Sequence, residues 1–484
     1  MSKKITIEPV TRVEGHGKVT IRMNDNHEVI DSRLHIVEFR GFERFVQGRP
    51  YWEAPVLVQR LCGICPVSHH IAAAKAMDVI VGAGNGDGLT PVAEKMRRLM
   101  HYGQFFQSHV LHFFHLSAPD FLFGIDGDPA IRNIIGIAMN NKELAVQGVM
   151  MRKFGQEVIL RTAGKKIHGT GAIPGGINKN LSITERDELL KGPDPLNADK
   201  MVEWSLGALD FFKSYHKQNR AKVDEFARFP SNHLSLVRKD GAFDIYHGVL
   251  RAVDAEGNRI LDDVDYHEYY NYIEEEVRSW SYMKFPYLKH LGKEKGWYRV
   301  GPLARLNTCD FIPTPLAQKE FEEYKAYTNG KPNNMSLHYH WARLIEVLHA
   351  AEVIRDLLQD PDLQKDNLVV KGNKHYEGVG VIEAPRGTLF HHYKINDDDM
   401  ITMANLIVST TNNNEPMNRA VASTAHAFMN GQETITEPMM NAVEVAIRAY
   451  DPCLSCATHA LGQMPLEMTL VNENDEILDH KIKD

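Results

Sequence analysis

"RLCGICPVSHH", residues 60–70, holds two cysteines with two residues between them, and "DPCLSCATH", residues 451–459, repeats that spacing near the other end. A C-x-x-C turn lets two sulfurs converge on one metal ion, so two such turns supply four thiolates. Compact zinc modules bring their pairs within about 20 residues of each other. Here nearly the whole chain lies between the pairs. A shared site would tie together the two ends of a large fold. On spacing alone a structural zinc site and a redox disulfide both stay open, and four soft thiolates also suit nickel, iron or copper. The neighbours are unusual for zinc: Arg60 precedes the first pair, His69 follows it, and Asp451-Pro452 leads into the second.

Composition narrows the setting. A length of 484 residues favours several packed layers over one small module. Hydrophobic content of 43% and charged content of 24% fit a globular protein. A net charge of -8 argues against nucleic acid, which needs a basic surface. The opening "MSKKITIEPV" has no apolar h-region, and no apolar run has the length of a membrane span. Five cysteines in a chain of this size do not make a disulfide framework, and a reducing cytoplasm is the expected location.

Patterning predicts an α+β, helix-dominated fold. "KKITIEPVTRVEGHGKVTIRMNDNHEVIDSRLHIVE" alternates apolar and polar residues and turns at Asn24-Asp25-Asn26, as an antiparallel meander does. Pro66 opens a helix that "VSHHIAAAKAMDVI" continues. Long helical patterns follow in 90–116, 198–229 and 337–360. The expected organisation is one domain over 1–459, β-rich over 1–60 and mainly helical over 66–459. It carries β insertions near 233–268 and 375–395 and helices over most of 398–449, and an extension follows at 460–484.

The motifs then carry a resemblance. "VTRVEGHGKVTI", "RGFERFVQGR", "RLCGICPVSHH", "APRG" and "DPCLSCATH" stand in the order found in the large, catalytic subunit of nickel–iron hydrogenases. The ending "DPCLSCATHALGQMPLEMTLV" is most similar to the cytoplasmic NAD-linked, or bidirectional, branch. The resemblance runs from about residue 5 to the end and implies that family's large-subunit fold.

Dihydrogen is apolar and a very poor acid, so its cleavage needs an electron-rich metal with an open position and a nearby base. By resemblance, Cys62 and Cys453 are terminal nickel ligands, and Cys65 and Cys456 bridge nickel to an iron that carries cyanide and carbon monoxide. Glu14 matches the first proton relay beside Cys453. Arg386 matches the arginine over the open nickel position, suited by its permanent charge to polarise rather than to accept a proton. Asp120 and Asp451 match carboxylates around that arginine, and His69 a histidine near a bridging sulfur. Pro385 and Thr410 match residues facing the iron ligands; Ser409 stands where many relatives have proline. Glu43, His459 and the carbonyl of Leu406 match ligands of a magnesium-type ion near the C-terminus.

Seen alone, Glu14 reads as a solvated strand glutamate and His69 as a core histidine. "VIVGAGNGDG" at 79–88 imitates a dinucleotide loop, but the third glycine place is Asp87 and the upstream pattern is helical. It reads as an interhelical loop. His109, His112 and His115 read as interior or interface polar groups.

Iron–sulfur clusters take about four cysteines each, and Cys309 is the only one left over. The electrons must therefore enter another polypeptide. The resemblance implies H2 as substrate, an iron–sulfur small subunit, a flavoprotein module that reduces NAD(P), and maturation factors that insert nickel and cleave the tail. Two alternatives use the same residues: a hydrogen-sensing regulatory subunit and a non-catalytic zinc scaffold.

The tail "ALGQMPLEMTLVNENDEILDHKIKD" alternates like a small hairpin around Asn472-Glu473-Asn474-Asp475. In the family a protease cuts directly after the histidine matched by His459. Cys453 and Cys456 lie a few residues before that bond, so a continuing chain constrains how they close over the metals. Active protein is therefore expected to end at His459. Intact-mass measurement decides this: full-length chain with full nickel and full activity would overturn it.

Overall fold

The computed structural model describes residues 3–83, 88–458, 466–471 and 477–483. The N-terminal alternation folds as strands Lys3–Ile7, Gly17–Met23 and Val29–Ile36, an antiparallel sheet in sequence order. Val19, Ile21 and Leu34 point inward and are fully buried, because residues two apart share one face.

Helices make the body. Helix Tyr339–Leu358 is buried nearly all round, so its polar side chains need partners inside the protein. Glu346 accepts from Arg305 Nη2 at 2.6 Å and lies 2.8 Å from His109 Nε2. Glu352 accepts the N–H groups of Leu316 and Ala317 at 3.0 and 2.9 Å, satisfying the free donors at the start of helix Pro315–Tyr327. His112 Nε2 donates to the carbonyl of Arg448 at 2.8 Å. His109 and His112 are thus interior polar groups on the long helix Pro91–Leu111 and the wider turn His112–Ser117 that follows it.

The helix that starts at Pro66 and ends at Ile80 buries every residue except Val79. Its alanines at 72 and 76 make a thin surface against strand Glu377–Ala384, which pairs with Gly387–Ile395. The strand answers with glycines. A Cβ at Gly380 would lie 2.1 Å from the carbonyl oxygen of Ala72, and one at Gly378 would lie 2.1 Å from that of Ala76. This backbone-to-backbone approach brings the first cysteine pair, at the helix start, to the hairpin loop Pro385-Arg386 between the paired ends Ala384 and Gly387.

The β insertion appears as strands Asn232–Val237, Val249–Val253 and Arg259–Val264, with Tyr298–Arg299 added parallel to the first. Several elements depart from the expected pattern: short helices Phe42–Val46 and Ala54–Leu57 fall inside the part expected to be β-rich, and strands Ile273–Glu276 and Phe285–Leu288 pair outside the expected insertions. Ile401–Ile407, inside the stretch read as mostly helical, is a strand paired with Gly387–Ile395. "ITMANLI" contains good helix formers, but pairing with a buried strand outweighs that weak preference. The helices Asn414–Met429 and Glu437–Ala449 follow it. The loop after Ile80 is interhelical, with residues 84–87 of the glycine stretch outside the described residues. Strands Leu466–Val471 and Ile477–Lys483 pair antiparallel as the tail hairpin.

Two glycine substitutions should move stability in opposite directions. Gly380→Ala must push apart helix and strand backbone, and is expected to cost about 1–3 kcal/mol, the usual range for overpacking. Gly207→Ala, on the exposed side of helix Ala198–Gln218 with open space at its Cβ, should stabilise by about 0.5–1 kcal/mol. Denaturant titration of both variants checks the pair.

Candidate metal centre

The two cysteine turns meet. Ligand atoms of Cys62, Cys65, Cys453 and Cys456 all lie within 4.8 Å of one another, and all four residues are buried. Cys62 Sγ is 2.8 Å from Cys65 Sγ and 3.4 Å from Cys453 Sγ. The N–H groups of Ile64 and Cys65 point at Cys62 Sγ at 3.3 and 2.9 Å. Hydrogen bonds from Cys453, Cys456 and Cys62 hold the Cys65 thiol well below its ordinary pKa, while burial pushes Cys453 and Cys456 up. Four free, buried sulfurs at this spacing form a soft donor set that fits a thiolate-bound metal or metal pair. Cys309 is buried elsewhere, and burial raises its thiol to about 12.

The second cysteine turn is clasped by the N-terminal loop. Leu454 N–H donates to the Glu14 carbonyl at 2.9 Å, and Glu14 pairs with Cys453 as an isolated parallel bridge. Gly15 follows with φ +82, and a Cβ there would lie 2.6 Å from the backbone nitrogen of Ser455. Only glycine combines that conformation with that contact. Upstream, Thr11 donates twice to Glu444, from N at 2.7 Å and from Oγ1 at 2.9 Å.

The clasp aims the Glu14 carboxylate at the sulfurs. Cys453 Sγ donates to Glu14 Oε2 at 2.9 Å, Ser455 N donates to the same oxygen at 3.2 Å, and Ser455 Oγ donates to Oε1. Glu14 is half-buried, with one edge at the cage. On the opposite wall, Arg386 sends Nε to the Asp451 carbonyl at 2.6 Å and Nη2 to Asp451 Oδ1 at 3.0 Å. Burial opposes its charge, but Asp451 and the sulfurs of Cys453, Cys65 and Cys62 keep its pKa well above the usual value. Burial pushes the Asp451 carboxyl up to about 6 against the pull of Arg386 and Arg343.

The remaining expected residues divide. Cys453 N–H donates to Thr410 Oγ1 at 3.0 Å. Pro385 and Thr410 line, with Arg386 and Cys65, a small cavity beside the cage. His69 is buried and lines the same cavity as Cys65, and its Nδ1 lies 3.2 Å from His391 Nε2. Leu406 N–H donates to Glu43 Oε1 at 2.8 Å, and both line a small cavity with Arg40, Cys456 and Thr458. His459 lies outside the described residues.

Asp120 is a correction. Its carboxylate takes Arg12 Nη2 at 2.5 Å and Arg448 Nη1 at 2.6 Å, and it is not among the hydrogen-bond partners of Arg386. The wide turn His112–Ser117 carries the following helix Ala118–Phe123 away, to a cluster of arginines. Ser108, on the long helix before that turn, reaches Arg386 Nη1 instead, at 3.5 Å. Ser108 carries no chemical signal in the sequence, and Ser455 is masked by the two cysteines on either side of it.

A second cluster joins His216, Asp224 and His338. Both histidines offer Nε2 to one oxygen of Asp224, at 2.8 and 3.0 Å. Asn333 Nδ2 donates to His338 Nδ1 at 2.9 Å, while Asn333 Oδ1 is occupied by Met335 N–H. Neutral His338 thus carries its proton on Nε2 and donates it to Asp224, which makes the cluster a hydrogen-bonded clasp rather than a ligand set.

Comparison with known proteins gives two family matches: a nickel-dependent hydrogenase model over residues 40–126 and 232–459, and a HoxL-like model over residues 4–39. The chain is similar to the NAD-reducing hydrogenase HoxS subunit beta of Cupriavidus necator, 53% identical over 100% of both chains. It is 43% identical to a chain of the F420-non-reducing hydrogenase vhc of Methanococcus voltae, over 96% of each. Among solved structures, an NAD+-reducing [NiFe]-hydrogenase in its H2-reduced state superposes with a TM-score of 0.91 at 53% identity, covering 94% of this chain and 99% of that one.

The cage predicts how metal depends on each sulfur. Cys65→Ser or Cys456→Ser should lower metal affinity by more than the roughly 10–100-fold that follows loss of an outer-shell partner. Cys309→Ser should leave metal content unchanged. Elemental analysis of the purified proteins reads both, and full metal retention in either cage variant would overturn the assignment.

Proposed function

Because the chain belongs to the nickel-dependent hydrogenase family, we propose that its four-cysteine cage holds a nickel–iron centre in the catalytic large subunit of an NAD-linked hydrogenase. The single observation that carries this reading is the convergence of Cys62, Cys65, Cys453 and Cys456, at opposite ends of the chain, within 4.8 Å. When bound, the centre supplies an electron-rich open position at which H2 is split, with cyanide and carbon monoxide completing the iron. Cys62 and Cys453 would each hold one metal of such a centre as terminal ligands, and Cys65 and Cys456 would be shared between the two metals.

The chain supplies the rest. Glu14 Oε2 lies 2.9 Å from Cys453 Sγ, within reach of a proton leaving that sulfur, and the two Ser455 donors hold the carboxylate in that orientation. Arg386 is a fixed cation at the cage wall. Two hydrogen bonds to Asp451 set the plane of its guanidinium, so it orients and polarises without releasing a proton. His69, on the wall of the same cavity as Cys65, would stand near that sulfur in the loaded centre. Thr410 and Pro385, which line the cavity beside the cage, would face the iron side.

Electrons leave through another polypeptide. Cys309 is buried and alone, so no second set of four sulfurs exists among the described residues. The partners are an iron–sulfur small subunit and a flavoprotein module that reduces NAD(P), assembled after nickel-insertion proteins and a tail protease have acted. Glu43, the Leu406 carbonyl and His459 would hold a magnesium-type ion, as a hard-oxygen set with one imidazole can. No helix among the described residues is long and apolar enough to cross a membrane. Five free thiols suit a reducing compartment, and we assign the protein to the cytoplasm.

Glu14→Gln keeps the shape of the side chain and removes its titration. Hydrogen oxidation and H/D exchange with solvent should fall by about 10²-fold or more while nickel and iron stay bound. Arg386→Lys should also lose activity, because a flexible ammonium cannot make both Asp451 contacts in one plane. Unchanged H/D exchange in the glutamine variant removes Glu14 from the proton route. Zinc alone in active-form preparations would favour the scaffold reading.

A further inference from the structure

The cavity beside the cage contains a hydroxyl with nothing to bond to. Ser68 stands in the first turn of the helix that begins at Pro66, three residues after Cys65, and is fully buried. Its Oγ has no hydrogen-bond partner among the described residues. A serine inside a helix ordinarily returns its hydroxyl to the carbonyl four residues back. Here that carbonyl belongs to Ile64, and it already accepts Gln104 Nε2 at 2.7 Å and Gln107 Nε2 at 2.8 Å. The default acceptor is therefore occupied, and the free side of Ser68 is the cavity it lines with Cys65, Pro385, Arg386, Thr410 and Cys453.

The other hydroxyls of this wall have partners. Ser409 Oγ donates to the Gly387 carbonyl at 2.8 Å. Thr410 Oγ1 accepts from Cys453 N–H at 3.0 Å. A buried donor left unmatched is rare, and the protein tolerates it where another group completes the bond.

We infer that the Ser68 hydroxyl donates a hydrogen bond to a small anionic acceptor on the iron side of the centre, of the chemistry of a metal-bound cyanide nitrogen. This rests on the nickel–iron reading above. Ser68 is then a positioning residue: it fixes one diatomic group and withdraws electron density through it, without touching the reacting hydrogen. Cyanide accepts such a bond at its nitrogen end far better than carbon monoxide does at its oxygen end, so the hydroxyl also helps decide which diatomic occupies that place.

Infrared spectroscopy of the complete, metal-loaded complex tests this, with nickel and iron measured on the same samples. In Ser68→Ala at least one C≡N stretch should move to lower wavenumber, and the C≡O stretch should follow as more electron density returns to iron. Ser68→Thr should keep the wild-type bands, while Ser68→Val, of the same shape without the hydroxyl, should reproduce the alanine spectrum. Where the alanine protein fails to load metal, the Thr and Val pair decides. Diatomic bands that are present but identical in the hydroxyl-bearing and hydroxyl-free proteins overturn the inference, the bond having gone to a buried water. Nickel and iron without any diatomic bands in the wild type would instead overturn the reading of the centre itself.

Discussion

The site depends on a backbone clasp between the ends of the chain. Two cysteine turns nearly 400 residues apart can share a metal only if the fold holds them in one place against thermal motion. The Leu454 N–H to Glu14 carbonyl bond, the glycine contact at Ser455 and the paired donors of Thr11 fix the second turn onto the N-terminal loop. The first turn is fixed from the other side, by a helix seated on glycines 378 and 380. Neither arrangement involves the metal. The cage is organised by packing and backbone hydrogen bonds, which lets metal ligands and proton acceptor share one short segment.

Charge balance follows from that rigidity. Four sulfurs crowded in a dry interior resist ionising together, and a buried guanidinium resists standing alone. Arg386 beside the cage answers both demands, because thiolate charge favours the arginine and the arginine favours thiolate charge. Asp451 completes the set. Its backbone adopts φ +52, an uncommon conformation for a residue with a side chain, and in that conformation both its carbonyl and its carboxylate meet the same guanidinium.

Much of the fold is legible because its signals are local. Alternation marks the N-terminal meander, and 3.6-residue periodicity marks helices Pro91–Leu111 and Ala198–Gln218. Pro66 marks a helix start, and Asp87 argues against the dinucleotide fingerprint. The strand at 401–407 escapes such reading because its residues favour helix while its partner strand lies elsewhere in sequence. Asp120 is misplaced for a related reason. A widened helical turn between it and Ser108 rotates the helix on its far side, and no residue type announces such a turn.

The sequence by itself determined the chemistry: four thiols in two turns, one glutamate in TRVEGH, one arginine in APRG, and too few other cysteines for an electron relay. These are properties of side chains, and they survive translation into a string of letters. Only the tertiary structure decided which groups face each other. It put Glu14 on Cys453, gave Arg386 the partners Asp451 and Ser108, turned Asp120 toward Arg12 and Arg448, and left Ser68 unmatched at the cavity. The reason is physical. Hydrogen bonds and Coulomb forces act over a few ångströms in space, and distance along the chain does not say which residues will come that close.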